Sequence, residues 1–268
     1  MNLIFNFLNK ISYYFGRVSL EKEYATWEDA KKNSLGYDHY FLFKKLKKIY
    51  SNTKIGLKFF ERDTIIFKKL PYNKTFLNLI SNINNKFKYI NILDFGGSLG
   101  SSFFLYQKKI CNFDYKWNIV EQKHIVAFGK RKLENKKFKF FYNIEQCLKY
   151  NKKNKINLFF TSGAIQYLES PYNILRAATK SSVPFILIDL LANSNASDDK
   201  IYVQKIPKSI YLGSYPIRIF SKKKILNFMK NNGYDLFFQK EYKRFFFGIK
   251  NSLYLFKNKK RSFKWNPN

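Results

Sequence analysis

Apolar residues recur at helical spacing through the first 87 positions, then give way to short apolar runs separated by helical stretches. In the leading part, Thr26 is a predicted N-cap for Trp27-Glu28-Asp29-Ala30, with Asp29 where a capping-box acid stands, and Asn33–Gly36 ends that helix. Tyr37, Phe41, Leu42, Leu46 and Ile49 share one face of the next helix. A further helix runs from Asn73 to Ile83 after Pro71, with Phe76, Leu77, Ile80 and Ile83 on one side. From about residue 88 the runs Tyr89–Phe95, Trp117–Val120, Phe138–Tyr142, Ile156–Phe160 and Phe185–Leu191 alternate with the helical stretches Ser101–Ile110, Lys123–Leu133, Ile144–Tyr150 and Pro171–Lys180. Ser170 before Pro171 has the form of an N-cap with proline in the first turn. Short connections between strands and helices imply βαβ units and a parallel sheet. Ala192–Lys200 reads as a loop, and Ile201–Phe220, with Pro207 and Pro216, as irregular. Ser221 caps a helix that Gly233 ends, and Tyr234–Tyr242 with Ile249–Phe256 form a hairpin. The expected architecture is one α/β domain over residues 88–257. Its sheet has seven strands, mostly parallel, with a terminal antiparallel hairpin. A helical N-terminal segment, 1–87, precedes it as a lid, and a basic tail, 258–268, follows.

Composition changes this picture little. At 268 residues and 46% hydrophobic, the chain can bury one large core. The formal charge of +32 raises the possibility of a nucleic-acid, anionic-lipid or acidic-sugar partner. Only seven of the 50 basic residues are Arg, however, and the Lys are spread along the whole chain among abundant Asn, Ile, Phe and Tyr. That distribution matches compositional drift over solvated faces, and nucleic acid is disfavoured as a partner because base reading leans on Arg. Cys111 and Cys147 offer neither a disulfide framework nor a metal spacing, and each reads as a buried filler, so no metal is expected. No transmembrane segment is expected, because no apolar run reaches 18 residues. Met1–Leu20 lacks the marks of a signal peptide; it can cap the core or rest peripherally on a membrane. The expected compartment is the cytoplasm.

The chemistry concentrates at the first buried strand. Ile90, Ile92 and Leu93 lead to Asp94 at its carboxyl end, and the chain turns through Gly96-Gly97-Ser98-Leu99-Gly100 into a helix. Ligands of open α/β sheets bind beyond the carboxyl ends of strands, and glycines let backbone approach them closely. Glu121 closes the next strand, where a carboxylate can accept hydrogen bonds from both ribose hydroxyls of an adenosine-containing cofactor. The pattern is that of a Rossmann-like fold. A nicotinamide-dependent nucleotide-sugar oxidoreductase shares this geometry and stands as the alternative enzyme. Against it, the loop reads Gly-Gly-x-x-Gly rather than Gly-x-Gly-x-x-Gly. The Tyr-x-x-x-Lys pairs Tyr40/Lys44 and Tyr50/Lys54 also lie upstream of the loop. A basic nucleic-acid-binding protein without catalysis is the alternative from another class.

Several segments resemble methyltransferases found among bacterial lipopolysaccharide and surface-polysaccharide biosynthesis proteins. They are Tyr24–Ala30, Gly36-Tyr37-Asp38, Glu61-Arg62-Asp63, Leu93–Ser101, Trp117–Gln122, Ser162–Leu168 and Ser214-Tyr215-Pro216, within a resemblance spanning about residues 20–256. It implies a class I methyltransferase fold, S-adenosylmethionine as cofactor, and a sugar or glycan-precursor acceptor. Asp94, Gly96, Gly97, Ser98, Gly100, Glu121, Gln122 and Ser162 are then the candidate cofactor residues, and Gln166 and Tyr167 candidates for the acceptor. Glu61 and Asp63 can place a carboxylate over the acceptor, although a surface ion pair explains the tripeptide equally well. Asn143 reads as a helix cap, and His39 and His124 as helix-surface residues. No catalytic base is assigned. Methyl transfer can run on proximity and alignment, so none is required. Asn157 departs from the family, which often carries Asp there.

Overall fold

Strands covered on both faces read as unbroken apolar runs, and the centre of this molecule is built from such strands. The computed structural model describes residues 18–35, 39–62, 64–207, 213–246 and 248–261. The chain opens with β1 (Ser19–Tyr24), α1 (Trp27–Lys32), α2 (His39–Asn52), β2 (Phe60–Arg62), β3 (Ile65–Phe67) and α3 (Lys74–Phe87). There follow β4 (Ile90–Phe95), α4 (Ser101–Tyr106), β5 (Tyr115–Val120), α5 (Lys123–Lys132), β6 (Phe138–Phe141), α6 (Ile144–Tyr150) and β7 (Leu158–Ser162). A 3-10 turn at Ile165–Tyr167 leads to α7 (Pro171–Lys180), β8 (Phe185–Ser194), β9 (Lys200–Ile206), β10 (Gly213–Ser221), α8 (Lys222–Asn231), β11 (Tyr234–Phe246) and β12 (Ile249–Asn258).

The central seven strands lie in the order β6-β5-β4-β7-β8-β12-β11. β6 to β8 are mutually parallel, and β12 and β11 return antiparallel, as the alternation and the closing hairpin predict. One face packs against α3, α4 and α5 through Phe76, Phe103, Trp117 and Phe138; the other covers Leu93, Phe159, Leu175 and Ile188. Strand order reverses between β4 and β7, which makes that crevice the ligand position in folds of this kind.

Three expectations are corrected. The first 87 residues are not wholly helical: β1 pairs antiparallel with β9, from Ser19↔Lys205 to Tyr24↔Ile201, and β2 with β3 forms a short hairpin. Leu20 is buried beneath that pairing, a long-range contact that helical periodicity does not register. Residues 201–220 are not irregular, because β9 and β10 form an antiparallel pair with Pro216 opposite Val203. β10 meets β8 only at Phe220 and Ser221, so most of its second edge needs no ladder hydrogen bonds and tolerates a proline. Cys147 is buried as expected, whereas Cys111 is exposed after α4, which stops at Tyr106 rather than Ile110.

Several local contacts match or refine the local signals. Asp29 N–H donates to Thr26 Oγ1 at 3.1 Å, Phe76 N–H to Asn73 Oδ1 at 3.3 Å, and Lys224 N–H to Ser221 Oγ at 3.2 Å. In α3, Leu79 rather than Leu77 joins Phe76, Ile80 and Ile83 in the core. Ser170 makes no side-chain cap bond, although Pro171 opens α7 as expected. Asn157 has a structural part: its Oδ1 accepts from Asn91 N–H at 2.9 Å, and its Nδ2 donates to Tyr89 O at 2.9 Å. Asn91, Asn118 and Asn151 bond to one another in the same buried cluster. Among the described residues, no helix is long and apolar enough to cross a membrane. Residues 1–17, Gly36-Tyr37-Asp38, Asp63 and tail residues 262–268 lie outside the described residues.

Candidate active site

The loop after β4 is shaped by what surrounds it. Its ladder continues past the strand, with Gly96 N–H donating to Val120 O at 3.0 Å, and Gly100 N–H closes the turn onto Gly97 O at 3.0 Å. A Cβ on Gly97 would stand 2.6 Å from both Asp94 Oδ2 and Ile119 Cδ1, so only glycine lets the loop fold against the buried acid. Gly100 combines a φ of +98° with a position where a Cβ would meet Phe138 Cζ at 2.5 Å. Phe138 cannot easily yield, because its ring stacks on Phe103 at 4.0 Å. Gly100→Ala is therefore expected to cost about 1–3 kcal/mol of unfolding free energy in urea titrations, from left-handed strain and overpacking; an unchanged midpoint would contradict this account of the loop.

Asp94 is fully buried and accepts from Trp117 Nε1 at 2.9 Å. Burial pushes its carboxyl up to about 7; the Trp117 bond opposes this and nearby Glu121 adds to it. Glu121 stands at the end of β5, with Ser98 N–H donating to Oε1 at 3.3 Å and Gln122 N–H to Oε2 at 2.6 Å. Its pKa is raised by burial against those two bonds. Each carboxylate oxygen keeps acceptor capacity toward the crevice. Gln122 thus contributes through its backbone, and its side chain is exposed.

A cavity of about 1300 Å³ opens over the carboxyl ends of β4, β5 and β7, and every described candidate except Gly100 lines it. Gly100 instead turns the chain into α4. Ser162 and Gly163 form one flank. Gln166 is buried, its Nε2 donating to Leu190 O at 3.2 Å while its Oε1 has no hydrogen-bond partner. The Tyr167 hydroxyl donates to Gln204 Oε1 at 3.2 Å, and its ring meets Tyr215 edge-on at 5.2 Å. Trp27 of α1 and Tyr215 of β10 add an aromatic wall; both lie in segments that carry the family resemblance, but neither was assigned a part in the site. Asn143 caps α6, accepting from Gln146 N–H at 2.8 Å, as read from the sequence, and also reaches the cavity. His124 packs edge-on against Phe43 at 4.8 Å.

The surface-ion-pair reading of Glu61 is overturned, because it is buried in β2. Its Oε2 accepts from Ser101 Oγ at 2.6 Å and from Tyr50 at 3.2 Å, and its Oε1 from Thr64 N–H at 2.8 Å. The hairpin of β2 and β3 is thereby tied to the start of α4. Asp63 lies outside the described residues, and its neighbours Arg62 and Thr64 line the cavity. Asp189, beside Ser162 across the ladder, escaped the sequence reading. The available signal was the one that marked Asp94 and Glu121, an acid closing an apolar strand run, here Phe185–Ile188.

No protein-family model matches the chain, and no curated protein matches its sequence. Solved structures do match in fold. The N-terminal domain of EvdMO1 with SAH (S-adenosylhomocysteine) bound superposes with a TM-score of 0.50 at 11% identity, covering 81% of this chain and 97% of that one. The [4+2]-cyclase SpnF gives a TM-score of 0.50 at 9% identity, covering 87% and 96%. The fold is the Rossmann-like class I methyltransferase fold. A fold of this breadth carries more than one chemistry.

Proposed function

We propose that the chain transfers a methyl group from S-adenosylmethionine to a hydroxyl of a sugar or surface-polysaccharide precursor. The observation that carries the reading is the pairing of the Gly96–Gly100 loop with Glu121, joined by the Ser98 N–H bond at the edge of the cavity. Glu121 would hold the ribose hydroxyls. The close-packed backbone at Gly97 and the loop's free N–H groups would hold the amino-acid end. S-adenosylmethionine would supply an electrophilic methyl on sulfur. Ser162 and Gly163 would flank that methyl, while Gln166 Oε1, buried and without a partner, is suited to accept a hydrogen bond from a neighbouring, non-reacting hydroxyl of the acceptor.

The size and lining of the cavity support a second ligand. Single-ligand pockets span about 300–1,000 Å³, and this one is about 1300 Å³. Trp27, Tyr167 and Tyr215 offer ring faces and edges against which a pyranose can pack. α1 joins the cavity wall through Trp27 and Lys31, so the N-terminal part would cover the acceptor site. Calorimetric titration tests the reading. Micromolar-class binding of both S-adenosylmethionine and S-adenosylhomocysteine is expected, with none for NAD. Binding of NAD alone would replace methyl transfer by a redox function.

A further inference from the structure

One half-buried acid beside the cavity has no part in holding the cofactor. Asp189 of β8 lies next to Ser162 of β7 in the parallel ladder. Ser162 lines the cavity, and its hydroxyl donates to Asp189 Oδ2 at 3.2 Å. The other oxygen, Oδ1, accepts from the Tyr242 hydroxyl of β11 at 2.6 Å. Tyr242 in turn accepts from Asn73 Nδ2 at 2.8 Å, and Asn73 N–H donates to the Tyr106 hydroxyl at 3.1 Å. Arg62 of β2 is the charged group within electrostatic reach of Asp189, and Tyr106 of α4 the further titratable one. Burial raises the Asp189 pKa, while the bonds from Tyr242, Ser162 and Leu190 N–H, and the charge of Arg62, act to lower it.

The other acids are differently engaged. Asp94 is turned to Trp117 beneath Gly97, Glu121 takes the loop N–H groups, and Glu61 is enclosed by Tyr50, Thr64 and Ser101. Glu61 and Asp189 each meet a cavity-lining hydroxyl, Ser101 and Ser162 respectively, and of the two serines Ser162 is the one read above as flanking the methyl.

We propose that Ser162 and Asp189 form a proton relay for the acceptor hydroxyl, an inference that rests on the methyl-transfer reading above. The acceptor's O–H bond breaks as its oxygen forms the new O–CH₃ bond, and the electron pair of the S–CH₃ bond stays on sulfur. The released proton passes to Ser162 Oγ while the serine's own proton passes to Asp189 Oδ2. A sulfonium and a carboxylate thereby become a thioether and a carboxylic acid, with no net charge left in the crevice. Tyr242 holds Asp189 in place and keeps its carboxylate form available.

Carboxyl-carbon NMR of protein labelled at aspartate tests this without an acceptor. The Asp189 resonance is identified by its loss in Asp189→Asn, and its titration is followed in the S-adenosylmethionine and S-adenosylhomocysteine complexes. A cation about 6 Å away in a protein-like dielectric lowers a carboxyl pKa by about one unit or more. The Asp189 pKa is therefore expected to be lower in the S-adenosylmethionine complex by that amount. Tyr242→Phe is expected to raise it in both complexes. Equal pKa values in the two complexes would overturn the relay, because the carboxylate would not sense the methyl position. Failure of either compound to bind in calorimetry is a distinct result: it removes the methyl-transfer reading and the relay with it.

Discussion

Glu121→Ala is expected to weaken S-adenosylhomocysteine binding by about 100-fold or more. Each hydrogen bond from a ribose hydroxyl to an ionised carboxylate contributes about 1.5–3 kcal/mol, so losing two corresponds to roughly 100-fold to 10,000-fold in affinity. The substitution also releases the Ser98 and Gln122 N–H groups that now bond to the carboxylate. Both border an open crevice where water can replace the lost partner, so the fold should persist. Calorimetry reads the affinity and thermal unfolding of the unliganded variant checks the fold. Binding within threefold of wild type in a folded variant would detach Glu121 from the cofactor and leave the loop without its second half.

Asp94→Asn should have the second large effect, on stability, with a sign that pH reveals. The folded Asp94 carboxyl is held at about 7, above its ordinary value of 3.8. Between those values the folded chain keeps a proton that the unfolded chain has lost, so stability falls as pH rises through that window. A difference of about three pKa units corresponds to roughly 4 kcal/mol once both states are ionised. Asparagine removes the charge and keeps an oxygen for Trp117 Nε1, which now donates to Asp94 Oδ2. The variant should gain on wild type progressively from pH 4 to pH 8, reaching about 2–4 kcal/mol at the upper end. Urea denaturation of both proteins across that range measures the difference, in which other titrations largely cancel. A difference that does not change with pH would mean that Asp94 is not buried as a strained acid. A gain that grows with pH would instead illustrate stability given up for function, a buried acid kept where a cofactor is expected.

Much of this arrangement was legible locally. The strand ending in Asp94, the glycine turn and Glu121 at the next strand end need only two successive βα units, whose spacing is written in about thirty residues. Helix caps at Thr26, Asn143 and Ser221 were readable because capping is settled within three residues. What failed required distant partners. Ser19–Tyr24 becomes a strand only because β9 lies beside it, and Glu61 is buried only because Ser101 and Tyr50 close over it. The Asp189–Tyr242 contact joins residues brought together by the pairing of β8, β12 and β11. An acid at a strand end is visible in sequence; the tyrosine that faces it across two ladders is not.

The position of β1 at the outer edge of β9 bears on how the protein would fail. β9 already pairs with β10 on its other side, so β1 alone occupies the backbone donors and acceptors along that margin. A nick between Tyr24 and Trp27 would let the short strand depart and leave a bare, ready-made template for a strand from another chain. The expected damaged form is a self-associating one, with molecules joined edge to edge beside the acceptor wall, rather than an unfolded monomer.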